Sequence, residues 1–307
     1  MPKRKTPPQK KADYIGRFAP SPSGDLHLGS LTCALASYLD ARKNHGNWLV
    51  RIEDIDPPRE QKGATQSILS CIKAHGLNWD GDILYQSQRS STYHQTLKAL
   101  TDEQFSYPCT CNRKRIANLS PSNCYDGHCK THSPKLNAPA SIRLDLVRSA
   151  KKITVASLNI SFYDLIQGEF SEDLGQTGDF VIHRKDGLFA YQLAVVVDDI
   201  HQGITHIVRG DDLLDCTPKQ IFLTQLLKGK QATYAHIPVV NDDRGLKLSK
   251  QNHATAANPE HAHENILLCL KHLGLKPNSN NTTQNIPDLL QWATEHWNLN
   301  KLSNKGA

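Results

Sequence analysis

Apolar and polar positions along the chain recur with two different periods. Tyr14 to Ala19 is a short, mostly apolar run broken by Pro20, Pro22 and Gly24, which predicts a strand followed by a loop. From about Leu28 to Lys43 the apolar residues Leu31, Ala34, Leu35, Tyr38 and Leu39 fall three or four apart, which predicts a helix with one buried stripe. Trp48 to Ile52 predicts a second strand, ending in Glu53 and Asp54. Strand, loop, helix and strand in this order open a doubly wound α/β sheet, whose ligands lie beyond the carboxyl ends of the strands. Arg17 to Ser21 and Glu53 fall at those ends.

Further along, the pattern predicts helices at 64–75 and 92–101. Strands are expected at 141–144, 153–155 and 179–184, with a hairpin turn at Lys185 to Leu188. Leu193 to Val197, followed by Asp198 and Asp199, reads as a buried strand or the end of a helix. Residues 204–208 predict a strand, Thr217-Pro218 starts a helix reaching Leu227, and amphipathic helices are expected near 259–273 and 286–297. No apolar run reaches the roughly 18 residues of a membrane span.

The chain has 307 residues, enough for one large or two ordinary domains. Its 38% hydrophobic and 21% charged residues exclude a disordered chain. The formal charge of +6 permits a polyanionic partner without identifying it. Part of that charge lies in residues 1–12, MPKRKTPPQKKA, read as a disordered basic tail, with an RNA-touching arm as the other possibility. No apolar segment follows it, so it is not a secretory signal.

Eight cysteines stand at 33, 71, 109, 111, 124, 129, 216 and 269. The cluster from Cys109 to Cys129 points to a metal site in a cytoplasmic protein rather than a disulfide framework. Donor chemistry alone favours Cys109, Cys111, Cys124 and Cys129 around a tetrahedral zinc, with His128 or His132 as substitutes.

Two loops carry nucleotide chemistry. His27-Leu28-Gly29-Ser30 sits where a strand gives way to a helix, and a helix N-terminus suits a phosphate. Gly29 allows a nucleotide to pack against the backbone, and His27 can donate to an α-phosphate gaining charge. Lys247-Leu248-Ser249-Lys250 places two lysines three apart, where they could steady a leaving pyrophosphate. Either loop alone reads as a cap or a basic turn. Both in this order around an α/β core point to adenylate formation.

Arg17 to Ser30 (RFAPSPSGDLHLGS) closely resembles the signature of glutamyl-tRNA synthetases, class I enzymes. The resemblance continues through Val50 to Arg59 and His206 to Gly210 and covers roughly residues 14–256. Ser30 stands where that signature ends in His, and Leu248 where the second carries Met. The resemblance implies a class I Rossmann-type catalytic domain in two halves, 13–106 and 176–256. It also implies a zinc-containing insertion at 107–175 and a short helical extension at 257–307, without an anticodon-binding domain. His27 and Lys250 are implied as catalytic, and His27, Gly29, Lys247, Ser249 and Lys250 as binding ATP with Mg²⁺. Arg17, Phe18, Ala19, Pro20, Ser21, Glu53, Tyr191 and Arg209 are implied as the glutamate pocket, with Glu53 on the α-ammonium. A guanidinium at Arg209 favours glutamate over glutamine. The family's metal pattern, Cys-x-Cys, thirteen residues, Tyr, three residues, Cys, lands on Cys109, Cys111, Tyr125 and Cys129 as ligands of one structural Zn²⁺.

Only 57 residues follow Lys250 (307 − 250). That length resembles a stand-alone paralog within the family. Such an enzyme activates L-glutamate without tRNA and transfers it to the queuosine cyclopentenediol at the wobble position of tRNA(Asp). A monomeric, cytoplasmic enzyme is expected. Two other readings stay open: a catalytic fragment charging the tRNA 3′ end, and a non-catalytic, zinc-containing tRNA-binding module.

Overall fold

The computed structural model describes residues 14–119, 124–132, 134, 139–154, 157–240 and 256–302. Ile15–Phe18 forms β1 and Asn47–Ile52 forms β2, joined by the helix Leu28–Lys43. The two strands pair in parallel, and the short β3, Leu84–Tyr85, adds to β2 in the same sense. This is the predicted opening unit. The helix keeps Leu31, Leu35 and Leu39 fully buried, which follows from their spacing.

Seven further strands complete three sheets. β4 is Ser106–Cys109, β5 Ser141–Leu144, β6 Asn159–Asp164, β7 Gly168–Asp173, β8 Val181–His183, β9 His206–Gly210 and β10 Thr233–Ile237. β9, β10 and β6 run parallel to their neighbours, and β7 returns antiparallel as a hairpin partner of β6. The Thr205 N–H donates to Ile15 O at 2.9 Å, and the Ile15 N–H donates to Thr205 Oγ1 at 2.8 Å. This seam sets β9 beside β1, so the strands follow the order β3-β2-β1-β9-β10-β6-β7. The third sheet, β4-β5-β8, is antiparallel and carries the cysteine-rich segment.

Several elements differ from the sequence reading. Leu193 to Val197 lies inside the helix Tyr191–Gln202, buried at five successive positions because the sheet and the helices Ser90–Asp102 and Thr217–Leu226 surround it. Burial from several sides erases the helical period, so the run looked strand-like. Ile153 caps the helix Leu146–Lys152 in place of starting a strand, and Val155 lies outside the described residues. β6 and β7, read as part of the insertion at 107–175, belong to the sheet with β10. β8, read as part of the second catalytic half, pairs with β5. The period-two burial of Ile160, Phe162 and Asp164 in β6 is the signal for that placement.

The helices Ala262–His272 and Ile286–His296 pack Ile266, Leu270, Leu289 and Leu290 against the helix Leu28–Lys43. Asp40 ties them down, accepting from the Tyr14 hydroxyl and from Trp297 Nε1–H, the latter at 2.8 Å. Asp40→Ala would strand two buried donors. The expected loss is about 2 kcal/mol or more, read as a lower urea midpoint, with Asp40→Asn losing less because it keeps an acceptor.

Candidate active site

The carboxyl ends of β1, β2 and β9 meet the helix Tyr191–Gln202. Arg17, at the end of β1, donates from Nε to Asp199 Oδ1 at 3.2 Å. Arg51, fully buried in β2, donates to the same oxygen at 2.8 Å, to Gln202 Oε1 at 2.8 Å, and to Glu53 Oε1 at 3.5 Å. Burial opposes the Asp199 charge, but Arg17 and Arg51 outweigh it and hold its pKa below the ordinary carboxylate value. At Glu53 burial prevails, and the pKa is raised in spite of Arg51 and Arg17. The Glu53 N–H donates to Pro20 O at 3.0 Å, which draws the loop after β1 over the end of β2. Phe18 is buried, Ala19 and Pro20 are half-buried, and Ser21 is exposed on that loop.

Tyr191 opens the helix Tyr191–Gln202, and burial raises its phenol pKa; Arg209 and Arg17 oppose the shift and Glu53 adds to it. The structure therefore brings Arg17, Glu53, Tyr191 and Arg209 within electrostatic reach of one another. Arg209 in β9 donates from Nε to His236 Nε2 at 3.0 Å and from NH1 to Gln220 Oε1 at 2.9 Å. From NH2 it donates to Thr217 Oγ1 at 2.8 Å and Leu213 O at 3.3 Å, leaving NH1 with a long 3.5 Å approach to the Tyr191 hydroxyl. Arg209 makes no ion pair with a carboxylate among the described residues. Its fork is held by neutral groups, with the longest approach at NH1 beside Tyr191.

His27 caps the helix Leu28–Lys43. Its Nδ1 accepts from the Ser30 N–H at 3.3 Å, and Nε2 lies 3.0 Å from Ser30 Oγ. A ring that accepts at Nδ1 carries its proton at Nε2 when neutral. Gly29 lies in the first turn of that helix. Lys247, Leu248, Ser249 and Lys250 lie outside the described residues, as does the tail 1–12. The chain re-enters at Ala256, which bridges His27, and the Ala257 N–H donates to Leu26 O at 2.7 Å. Residue 256, six positions after Lys250, thus stands against the first signature.

In the β4-β5-β8 region the Sγ atoms of Cys109, Cys111 and Cys129 lie within 4.8 Å of one another. The Tyr125 oxygen is 3.4 Å from Cys109 Sγ and 3.9 Å from Cys111 Sγ. Arg143 Nε donates to Cys109 Sγ at 3.2 Å, and Arg115 NH1 to Cys111 Sγ at 3.5 Å. Burial opposes the Cys129 thiolate, yet the Thr110 backbone, Tyr125 and the two neighbouring thiols bring its pKa down to about 6. Cys124 Sγ, the candidate that donor chemistry alone had favoured, turns to Tyr125 O and stands outside this group. His128 and His132 stack on each other and are not part of it.

The sequence reading missed Arg51, Asp199, His236 and Asp164. An arginine between two apolar residues of a strand, Val50-Arg51-Ile52, and an Asp pair closing an apolar run were available signals for the first two.

The family model for class I tRNA synthetases (E and Q), catalytic domain, matches residues 15–282, and the chain belongs to that family. It is 46% identical over 291 residues to a protein of Citrobacter koseri named glutamyl-Q tRNA(Asp) synthetase, covering 94% of this chain and 93% of that one. The protein of the same name from Pectobacterium atrosepticum is 47% identical over 289 residues, covering 94% and 86%. The fold matches the crystal structure of glutamate-tRNA synthetase from Elizabethkingia anophelis with a TM-score of 0.77 at 22% identity, over 97% of this chain and 68% of that one. The resemblance drawn from the two signatures holds, and the chain is an ATP-dependent ligase of the class I synthetase type.

The Asp199 shift has a definite sign. Its folded pKa lies below the unfolded value of about 3.9, so its contribution is complete above that pH and is lost as pH falls through the folded pKa. Asp199→Asn should cost about 3 kcal/mol at pH 7, with a gap from wild type that narrows below about pH 4, measured by denaturant midpoints across that range.

Proposed function

We propose that this chain activates L-glutamate with ATP, without tRNA, and passes the glutamyl group to the queuosine cyclopentenediol at the wobble position of tRNA(Asp). The observation that carries the glutamate assignment is Arg209, a buried cation with no carboxylate beside it among the described residues, next to Tyr191 and across from Glu53. A glutamate side-chain carboxylate supplies the missing anion, accepting from Arg209 NH1 and the Tyr191 hydroxyl. Glu53 receives the α-ammonium, and Arg17 through Ser21 line the pocket. The acceptor assignment rests on the relatives of that name, which match nearly the whole chain.

In the first step the glutamate α-carboxylate attacks the α-phosphorus of ATP, and pyrophosphate leaves. His27 is assigned to the α-phosphate oxygen as it gains charge, its Nε2–H leaving Ser30 Oγ for that oxygen, with Gly29 leaving room for the nucleotide. Lys247, Ser249 and Lys250 are assigned to the triphosphate by the motif alone. Bound Mg²⁺ supplies charge neutralisation of the phosphates. In the second step a queuosine hydroxyl attacks the adenylate carbonyl, and AMP leaves.

Three thiols and a phenol converging within bonding range, with two guanidiniums turned to the sulfurs, fit a tetrahedral zinc held by Cys109, Cys111, Tyr125 and Cys129. Zinc there would hold the segment 109–129 together. All eight cysteines are free of disulfides, in keeping with a reducing compartment.

Glutamate-dependent ATP–pyrophosphate exchange is expected without tRNA. Glutamylation is expected of queuosine-containing tRNA(Asp) and not of tRNA lacking queuosine. Equal charging of both tRNAs would favour the 3′-end reading, and absence of exchange would favour the binding module. Arg209→Gln should raise the KM for glutamate roughly 30- to 4,000-fold in that exchange, the range for losing one partner of a buried charge pair. By metal analysis, one zinc per chain is expected, lost in Cys111→Ser and kept in Cys124→Ser.

A further inference from the structure

Arg209 does not orient itself. Its Nε–H needs an acceptor in a buried position, and that acceptor is His236 Nε2 at 3.0 Å. An imidazole nitrogen accepts only when the proton sits on the other nitrogen. Here His236 Nδ1 faces Asp164 Oδ2 at 2.6 Å, and a carboxylate takes a proton donor. Asp164 is fixed in turn, because its Oδ1 accepts from the backbone N–H groups of Ile166, Gln167 and His236 at 3.0, 2.9 and 3.1 Å. His236 and Asp164 are both fully buried, on neighbouring strands β10 and β6.

We propose that Asp164 and His236 form a tautomer relay that positions Arg209 and so sets the preference for a glutamate side-chain carboxylate. Asp164 holds the proton on Nδ1, Nε2 is thereby an acceptor, and the guanidinium is pinned at Nε with NH1 turned towards Tyr191. Neither residue meets the substrate; both act through Arg209. Burial lowers the His236 pKa and keeps the ring neutral beside the cation, with Asp164 opposing that shift. At Asp164 burial raises the pKa, but the His236 donor and the three backbone N–H groups prevail and keep it ionised. This proposal rests on the glutamate reading of the pocket.

Asp164→Asn is the diagnostic substitution because it changes no volume. Its Oδ1 can still accept the three backbone N–H groups, while its amide donates to His236 Nδ1 and drives the proton to Nε2. Thr217 Oγ1, 3.2 Å from Nε2, could take that proton, yet Arg209 Nε–H would still lose its acceptor. In glutamate-dependent pyrophosphate exchange, Asp164→Asn should raise the KM for glutamate about 10- to 100-fold, with kcat and the KM for ATP within about threefold of wild type. His236→Gln, which can return an acceptor to the Nε2 position, should lie nearer wild type than His236→Asn, which cannot. Nitrogen NMR of the histidine rings should show His236 as the Nδ1–H form in wild type and the Nε2–H form in Asp164→Asn. An unchanged glutamate KM in a folded Asp164→Asn chain, or equal rises for glutamate and ATP, overturns the relay. A wild type that shows no exchange at all overturns the glutamate reading instead.

Discussion

Everything at the active end of the sheet depends on Asp199 meeting two arginines. Arg17 and Arg51 enter from the first half of the catalytic domain on β1 and β2, and Asp199 enters from the second half on the helix Tyr191–Gln202. Burying two guanidiniums so close together would be prohibitive without a carboxylate shared between them. The same contact brings the two halves into register, because Tyr191 is on the helix that carries Asp199 and Glu53 follows the strand that carries Arg51. The proposed pocket thus inherits its geometry from an ion cluster in which Arg51 and Asp199 hold Arg17 in place.

The small antiparallel sheet is connected to this centre through its last strand. β8 pairs with β5, and β5 with β4, which ends at Cys109. After β8 the chain runs through a tight turn into Tyr191, so the sheet that carries the cysteine cluster leads directly into the helix that opens at Tyr191. Beyond the opposite face, Asp40 draws the C-terminal helices onto the helix capped by His27. Both flanking regions are fastened to elements that also carry the pocket or the nucleotide loop.

Much of this was legible in the sequence, and the parts that were not share a cause. The first strand, helix and second strand were readable because Leu31, Leu35 and Leu39 recur at helical spacing with polar residues between them, although the helix is buried nearly all round. Arg17, Glu53, Tyr191 and Arg209 were identified by motif, and the structure brings them together. The helix Tyr191–Gln202 was ambiguous because its buried residues Leu193 to Val197 are apolar without interruption, which leaves no period to read. β10 escaped because Tyr234, Ala235, His236 and Ile237 are buried in succession and two of them are polar or aromatic. His236 and Asp164 lie 72 positions apart, and no local pattern announces a hydrogen bond across two strands. Donor chemistry alone favoured Cys124, the family's spacing favoured Tyr125, and the three-dimensional arrangement leaves Cys124 outside the cluster.

Arg209 has one more consequence, for folding rather than for chemistry. Its charge is balanced by Asp164 across an imidazole, not by direct contact, so the fold holds a guanidinium less well compensated than an ordinary buried pair. Selection for a tighter fold and selection for substrate therefore pull in opposite directions at this position. An apolar side chain there would suit the core better but, on the proposed reading, would leave glutamate without its partner. On the proposed reading, a bound carboxylate would supply that compensation, so glutamate should raise the stability of the fold as well as serve the reaction.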